Sequence, residues 1–146
     1  MTTWSLVTGA SGGLGLEIAR RLAKRGDNLV STARSRERLE AADAELRSLG
    51  APEVRVVVAD LATREGALHL LDDIAANSIT ISTLVNNAGF GLTGSFLGQD
   101  EAELLEMVEL NVTTLTLLTR RLVPAMVAAG SGAVLNLSSV AGFQPG

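Results

Sequence analysis

Residues 7–15, VTGASGGLG, are the most informative part of the chain for predicting its architecture. This stretch follows the apolar run WSLV and precedes a helical pattern in which Leu14, Ile18 and Leu22 recur every four residues, which predicts one face packed on a sheet. A left-handed cap is expected at Gly26. A glycine-rich turn between a strand and a helix directs the first N–H groups of that helix beyond the end of the strand. The stretch therefore predicts an anion-binding βα unit.

The glycines of this loop have separate predicted roles. Gly9 allows the tight turn, and Gly13 and Gly15 omit a Cβ that would intrude on a bound pyrophosphate or on the neighbouring strand. A nucleoside triphosphatase is disfavoured, because its phosphate loop needs Lys followed by Ser or Thr after the last glycine. Leu16-Glu17 follows here.

Strand-like runs alternate with helical patterns along the rest of the chain. These runs are nearly continuous Val, Leu and Ala, as in parallel strands covered on both faces, and right-handed crossovers arrange such strands in a doubly wound sheet. We predict a single α/β domain over residues 1–146, with a Rossmann-type parallel sheet of about five strands in the order 3-2-1-4-5 and helices on both faces. The predicted strands are WSLVTG, NLVSTAR, VRVVVAD, STLVNNAG and GAVLNLS.

Composition and charge disfavour several classes of function. The formal net charge is -4 and the sequence pI is near 5.0, whereas binding to nucleic acid requires clustered Lys and Arg. The chain has no Cys, its single His is His69 in a predicted helix, and no apolar run approaches the ~18 residues that cross a bilayer. We expect a cytoplasmic protein with no metal, no nucleic-acid partner and no membrane anchor.

Four motifs in order resemble those of the short-chain dehydrogenase/reductase family: TGASGGLG at 8–15, NNAG at 86–89, ELNV at 109–112 and NLSSVAG at 136–142. The resemblance covers the whole chain. It implies an oxidoreductase that transfers hydride between a nicotinamide cofactor and a small carbonyl or alcohol substrate, and a homo-oligomer in the full-length form. The candidate cofactor-binding residues are Gly9, Ser11, Gly12, Gly13, Leu14, Gly15, Arg34, Asp60, Leu61, Asn87, Ala88 and Gly89.

The end of the second strand indicates which dinucleotide is bound. In a Rossmann unit a residue ~20 positions past the glycine loop contacts the ribose 2′ position. Here it is Ala33, followed by Arg34. A carboxylate would repel a 2′-phosphate, whereas a guanidinium binds one, so NADP(H) is predicted over NAD(H). The alternative is that Arg34 only begins a solvated helix, as Arg36 and Arg38 do.

The ends of the third and fourth predicted strands carry further candidates. By the resemblance, Asp60 hydrogen-bonds the adenine amino group with Leu61 beside it, and an N-cap role near Thr63 is an alternative compatible with it. The resemblance also implies that the stretch from Asn87 to Gly89 contacts the cofactor. The asparagine side chains there can tie adjacent strand ends together, and the motif could serve only as a strand terminator.

Asn111 and Ser139 are the catalytic candidates. The spacing predicts that the Asn111 amide lies on a buried helical face, where an unpaired amide would cost ~1–3 kcal/mol. The resemblance implies that Asn111 holds a water in a proton relay, and a hydrogen bond to a strand is the alternative. It implies that Ser139 hydrogen-bonds the substrate carbonyl, and a simple turn position is the alternative. The predicted stripe comprises Leu104, Val108, Asn111, Leu115, Leu118 and Leu122.

The acid-base pair of that family is missing from the sequence. A Tyr, and a Lys four residues after it, normally follow the serine by roughly a dozen residues or more. Only seven residues follow Ser139, the chain has no Tyr, and its one Lys is Lys24. We expect a C-terminally incomplete domain that binds cofactor but is inactive alone. The alternative is a non-catalytic dinucleotide-binding or interaction module.

Overall fold

Five short strands alternate with helices in a computed structural model that describes residues 4–143. A π-helical stretch, Glu109–Thr114, joins α4 to α5, and one-turn 3-10 helices lie at Phe96–Gly98 and Val140–Gly142. The main elements are β1 (Trp4–Thr8), α1 (Gly13–Arg25), β2 (Asn28–Ala33), α2 (Arg36–Ser48), β3 (Val54–Val58), α3 (Arg64–Ala76), β4 (Ile81–Asn86), α4 (Glu101–Val108), α5 (Leu115–Ala128) and β5 (Ala133–Asn136).

The strands form one parallel sheet in the order β3-β2-β1-β4-β5, which confirms the predicted topology. The carboxyl ends of the strands are in register: Thr8 of β1 pairs with Thr32 of β2, and Asn86 of β4 pairs with Asn136 of β5. The loops that follow these strands therefore meet at one edge of the sheet, where open α/β sheets bind their ligands.

Helices cover both faces of the sheet, as predicted. Alternating side chains of a strand point to opposite faces, so Leu6 of β1 packs with Leu70 of α3 and Leu118 of α5. The next residue, Val7, packs in the opposite layer with Leu39 of α2. Burial on both faces also includes polar residues such as Ser5 of β1 and Ser31 of β2, so the expectation that the strands are nearly continuous Val, Leu and Ala is wrong for the central strands.

The helix α1 ends as the sequence predicts but begins differently. Gly26 adopts a left-handed conformation at φ 88°, and its N–H donates to the Ala23 carbonyl over 2.9 Å. Leu14, predicted on the sheet-facing stripe, is instead 67% exposed, whereas Leu22 is buried. The prediction for Leu14 is wrong because the first turn of α1 lies at the carboxyl edge of the sheet, where no strand passes beneath it.

The helical stripe predicted from Leu104 to Leu122 is interrupted by the π-helical stretch. A π turn holds more residues than an α turn, so side chains before and after it do not share one face. Leu118 and Leu122 are buried, but Val108 is 48% exposed and Asn111 is exposed. The predicted stripe through Asn111 is therefore wrong. Within residues 4–143, none of the helices has the length and apolar character that crossing a membrane requires.

Candidate functional site

A cleft of about 300 Å³ opens at the carboxyl edge of the sheet, among the loops that follow β1, β2, β3 and β4. Eight of the candidate residues line it: Gly9, Ser11, Arg34, Asp60, Leu61, Asn87, Ala88 and Gly89. Ala33, which the sequence places at the ribose 2′ position, lines it too. The sequence did not single out the other lining residues as ligand contacts, and these are Ser35, Arg38, Ala59, Ala62, Phe90 and Leu110.

The glycine loop brings α1 close to the ends of β1 and β4. Gly9 adopts φ 68°, and a Cβ there would lie 2.7 Å from Nδ2 of Asn87. A Cβ on buried Gly15 would overlap the Gly9 carbonyl oxygen and Nδ2 of Asn87. Glycine at these two positions is therefore required by contacts inside the protein.

The start of α1, in contrast to Gly9 and Gly15, is not in close contact with other parts of the protein. A Cβ on Gly12 or Gly13 would meet nothing within 4 Å, so no neighbouring strand approaches Gly13, and its predicted closeness to a pyrophosphate stays a prediction. Gly13 adopts φ 54°, which favours glycine. Gly12 is the N-cap and provides no capping side chain, and the first turn holds no acidic residue. The first N–H groups of a helix have no partner within the helix, so this end faces open space with partial positive charge.

Thr8 and Asn87 clamp the ends of β1 and β4 together. Thr8 Oγ1 accepts hydrogen bonds from the N–H groups of Asn87 (3.0 Å) and Ala88 (2.9 Å). The Asn87 side chain donates through Nδ2 to the Thr8 carbonyl over 2.9 Å. This confirms that asparagine ties adjacent strand ends here, and it fixes the backbone of Ala88 at the cleft.

A second asparagine ties β4 to β5. Nδ2 of buried Asn86 donates to Oδ1 of Asn136 over 2.8 Å and to Oγ1 of Thr119 over 3.2 Å. The Leu137 N–H then donates to the Asn86 carbonyl over 3.0 Å. These bonds hold the end of β5, and so determine where the segment that carries Ser139 leaves the sheet.

Two arginines border the cleft after β2. Arg34 and Arg38 both line it, together with Ser35, whose Oγ accepts from the Arg38 N–H over 3.4 Å at the start of α2. Arg36 lies between them but does not line the cleft, and its guanidinium pairs with Glu40 at 3.5 Å. Sequence reasoning missed Arg38. Its spacing of four residues from Arg34 across a predicted helix start was the available signal.

Asp60 borders the cleft after β3 and holds the turn that leads into α3. Its Oδ1 accepts from the Ala62 N–H over 3.1 Å, and its carbonyl accepts from Oγ1 of Thr63 over 2.9 Å. The N-cap of α3 is Thr63, whose Oγ1 accepts from the Gly66 N–H over 3.0 Å. The capping role near Thr63 therefore belongs to Thr63 itself, and Asp60 organises the turn before it.

Asn111 is exposed, yet both ends of its amide are paired. Nδ2 donates to the Phe90 carbonyl over 2.8 Å, and Oδ1 accepts from the Phe90 N–H over 3.2 Å. The expected buried position is wrong, and the partner is the loop after β4 rather than a strand. Because Phe90 lines the cleft, Asn111 shapes its wall through the backbone.

Ser139 lies three residues beyond β5 and is exposed. Its Oγ accepts from the Ala141 N–H over 3.2 Å and caps the one-turn helix Val140–Gly142. A hydroxyl that accepts in this way keeps its own hydrogen to donate. Over residues 4–143, no three His, Asp or Glu side chains converge as metal ligands would.

The carboxylates with shifted pKa values lie outside the cleft lining. Burial of Asp27 works against its ionisation, but hydrogen bonds from Arg25 (2.6 Å) and Ser5 (2.5 Å) more than offset this, so its pKa lies below the usual value. A hydrogen bond from Arg55 lowers the pKa of Asp73. These groups stabilise the fold, whereas the cleft itself combines two arginines with one carboxylate, Asp60.

Known proteins resemble the chain along nearly all of its length. A very-long-chain 3-oxoacyl-CoA reductase of Anas platyrhynchos is 34% identical over 97% of this chain and 46% of its own length. The structure of a short-chain dehydrogenase from Sphingobium yanoikuyae in complex with NADPH matches with a TM-score of 0.90 and 36% identity, over 98% of this chain and 56% of that one. A bulky-bulky ketone specific alcohol dehydrogenase from Comamonas testosteroni matches with a TM-score of 0.90 and 34% identity, over 98% and 57%.

The chain thus spans less than half the length of the curated reductase and just over half of the two solved structures. The family model for short chain dehydrogenases matches residues 3–146. The predicted sheet order and the four motifs agree with that match. The chain belongs to the short-chain dehydrogenase family.

Proposed function

We propose that residues 1–146 form one dinucleotide-binding domain that holds NADP(H) in the cleft, as part of a short-chain reductase acting on a carbonyl or alcohol. The observation that carries the proposal is the pair of arginines after β2, Arg34 and Arg38, on a wall without a carboxylate. A guanidinium binds a 2′-phosphate through charge-assisted hydrogen bonds. The Sphingobium yanoikuyae relative was solved with NADPH.

The residues present fit such a cofactor. The open space beside Gly12 and Gly13, at a helix N-terminus without an acidic residue, suits a pyrophosphate. Arg34, Ser35 and Arg38 would hold the 2′-phosphate. Ser11 and Leu14 lie in the same glycine-rich stretch, residues 7–15, and their contacts with the cofactor stay predictions.

The walls of the cleft that follow β3 and β4 suit the adenine and nicotinamide rings of the cofactor. Asp60 lies after β3, the strand beside β2, so its carboxylate would accept a hydrogen bond from the adenine amino group above buried Leu61. The small residues Ala88 and Gly89, after β4, would lie against the nicotinamide half. In this arrangement the nicotinamide ring would lie on the side of the cleft toward β5, the strand that leads to Ser139.

When bound, the reduced cofactor supplies hydride to a carbonyl carbon. Ser139 would donate its free hydroxyl hydrogen to the carbonyl oxygen and stabilise the charge that develops there. Asn111 would keep the Phe90 loop in place through its two backbone hydrogen bonds. Residues 1–146 contain no Tyr, and their one Lys is Lys24 on α1, so they provide no Tyr–Lys pair of the kind the family uses as proton donor.

Calorimetric titration of residues 1–146 with NADPH and NADH tests the binding proposal. We expect NADPH to bind about tenfold more tightly or better, because a charge-assisted contact is worth about 1.5–3 kcal/mol. Equal affinities would overturn the assignment of NADP(H). Binding of neither dinucleotide would overturn the site.

A turnover assay tests the catalytic part. We expect NADPH oxidation by this chain with ketones and aldehydes to stay near background, because general acid catalysis contributes ~10² to 10⁴-fold. A form extended with the downstream coding sequence is the comparison. Equal rates in both forms would mean that the acid is a residue to which we assign a structural role.

A non-catalytic dinucleotide-binding or interaction module is the second candidate, favoured by the lack of Tyr. The coding sequence beyond Gly146 discriminates the two. An in-frame Tyr-x-x-x-Lys supports the reductase, and a stop codon directly after Gly146 supports the module.

A further inference from the structure

Asp60 touches the first turn of α3 so closely that residue 66 has no room for a side chain. A Cβ on Gly66 would overlap the Asp60 carbonyl oxygen and lie 2.6 Å from the carbonyl carbon and 3.1 Å from the backbone nitrogen. All three atoms belong to the backbone, so no rotation of a side chain could relieve the overlap. A side chain at residue 66 must therefore displace either Asp60 or the start of α3.

Both of these partners are held in place. The Asp60 carbonyl accepts from the N–H and the Oγ1 of Thr63, over 3.2 and 2.9 Å, and Thr63 Oγ1 in turn accepts from the Gly66 N–H. On the far side, the carbonyl of buried Leu61 accepts from Oγ1 of buried Thr114 over 2.8 Å. A shift of Asp60 toward the cleft would relieve the overlap, because Asp60 is exposed and lines that open space.

We propose that Gly66 is a positioning residue that fixes the Asp60 carboxylate at the distance where it selects adenine. This inference rests on the proposed binding of NADP(H). An ionised carboxylate only accepts hydrogen bonds, so it favours a base with an amino group at that point and disfavours one with a carbonyl oxygen. Hydrogen bonds weaken steeply with poor geometry, so a displaced Asp60 would lose this selectivity.

The experiment compares NADPH with its analogue in which hypoxanthine replaces adenine. Affinities are measured by calorimetry for the parent chain, for Gly66→Ala and for Gly98→Ala. The last is a matched control, because a Cβ on Gly98 meets nothing within 4 Å and its φ lies outside the left-handed range. We expect the parent and the control to prefer adenine by about tenfold, and Gly66→Ala to prefer it by less than about threefold.

The ratio of the NADPH affinity to the NADH affinity separates a displacement of Asp60 from general damage to the cleft. The preference of Gly66→Ala for NADPH over NADH should match that of the parent, because Arg34 and Arg38 follow a different strand. If Gly66→Ala does not fold, Thr63→Ala serves instead, since it removes the hydroxyl bonded to Asp60 and adds no atom. Thr63→Ala should also lower the adenine preference.

Each result decides the matter. An unchanged adenine preference in Gly66→Ala, or in Thr63→Ala where that variant is used, overturns the inference. A parent chain that binds NADPH without preferring adenine overturns the inference and leaves the proposed function intact. A parent chain that does not bind NADPH removes both.

Discussion

Replacement of Arg34 by alanine is the most direct perturbation of the proposed cofactor preference. Arg34 directly follows β2 and lines the cleft together with Arg38, one helical turn further on. Both side chains are exposed, so each guanidinium reaches solvent as well as the cleft. Arg34→Ala removes one of the two charges and leaves the start of α2, capped by Ser35, in place.

The magnitude follows from the chemistry and exposure of this contact. A hydrogen bond to a charged group contributes about 1.5–3 kcal/mol. Solvent and salt screen an exposed pair, so the lower end applies, which is about tenfold in Kd. We expect Arg34→Ala to weaken NADPH binding by about tenfold and to change NADH binding by less than about twofold, because NADH has no 2′-phosphate.

The assay is calorimetric titration of both cofactors at two salt concentrations. Arg36→Ala is the matched control, because Arg36 is exposed on the same turn but pairs with Glu40 and does not line the cleft. The difference between Arg34→Ala and the parent should shrink at high salt. If Arg34→Ala and Arg36→Ala reduce the NADPH preference equally, or neither does, the role assigned to Arg34 is refuted.

Three further outcomes are expected. Gly15→Ala should destabilise the chain by about 1–3 kcal/mol and impair NADPH binding through overpacking, whereas Gly98→Ala should do neither, as urea unfolding and titration would show. Asp27→Asn should cost about 1–2 kcal/mol at pH 7, because Asp27 loses the charge that Arg25 pairs with. Its folded-state pKa is lowered, so the difference from the parent should be present above about pH 4 and should be lost as the pH falls from there through the lowered pKa of folded Asp27. The chain should associate as its concentration rises, because β5 is exposed and its Val134 and Leu135 are 39% and 44% exposed; light scattering should show less association for Leu135→Lys.

The side-chain amide of Asn111 is already hydrogen-bonded to Phe90, which bears on its predicted role in a proton relay. The amide hydrogen-bonds both the N–H and the carbonyl of Phe90, so the Asn111 side chain supports the wall of the cleft. A Cβ on Gly89 would lie 2.9 Å from Oδ1 of Asn111, so glycine at that position lets the loop and the π-helical stretch approach each other. That Asn111 takes part in a relay remains a prediction.

The sheet and the general location of the site could be predicted from the amino-acid sequence. Short apolar-rich runs and the 3.6-residue period of helices depend on near neighbours in the chain, so the strands, the helices and the cap at Gly26 could be predicted from local patterns. Parallel strands bring their carboxyl ends to one edge, so residues after four strands were expected together. The loops that carry Gly9, Arg34, Asp60 and Ala88 do meet there.

The individual contacts between side chains could not be predicted, because they depend on how distant segments pack together. Asn87 holds Thr8 from 79 positions away, and the Asn111 amide pairs with a loop 21 positions before it. The π-helical stretch turns Asn111 off the face that its spacing predicted, and the closeness of Gly66 to Asp60 depends on how α3 docks. Such contacts join segments whose separation in the chain carries no periodic signal. They are determined by how the helices pack on the sheet, which no local pattern encodes.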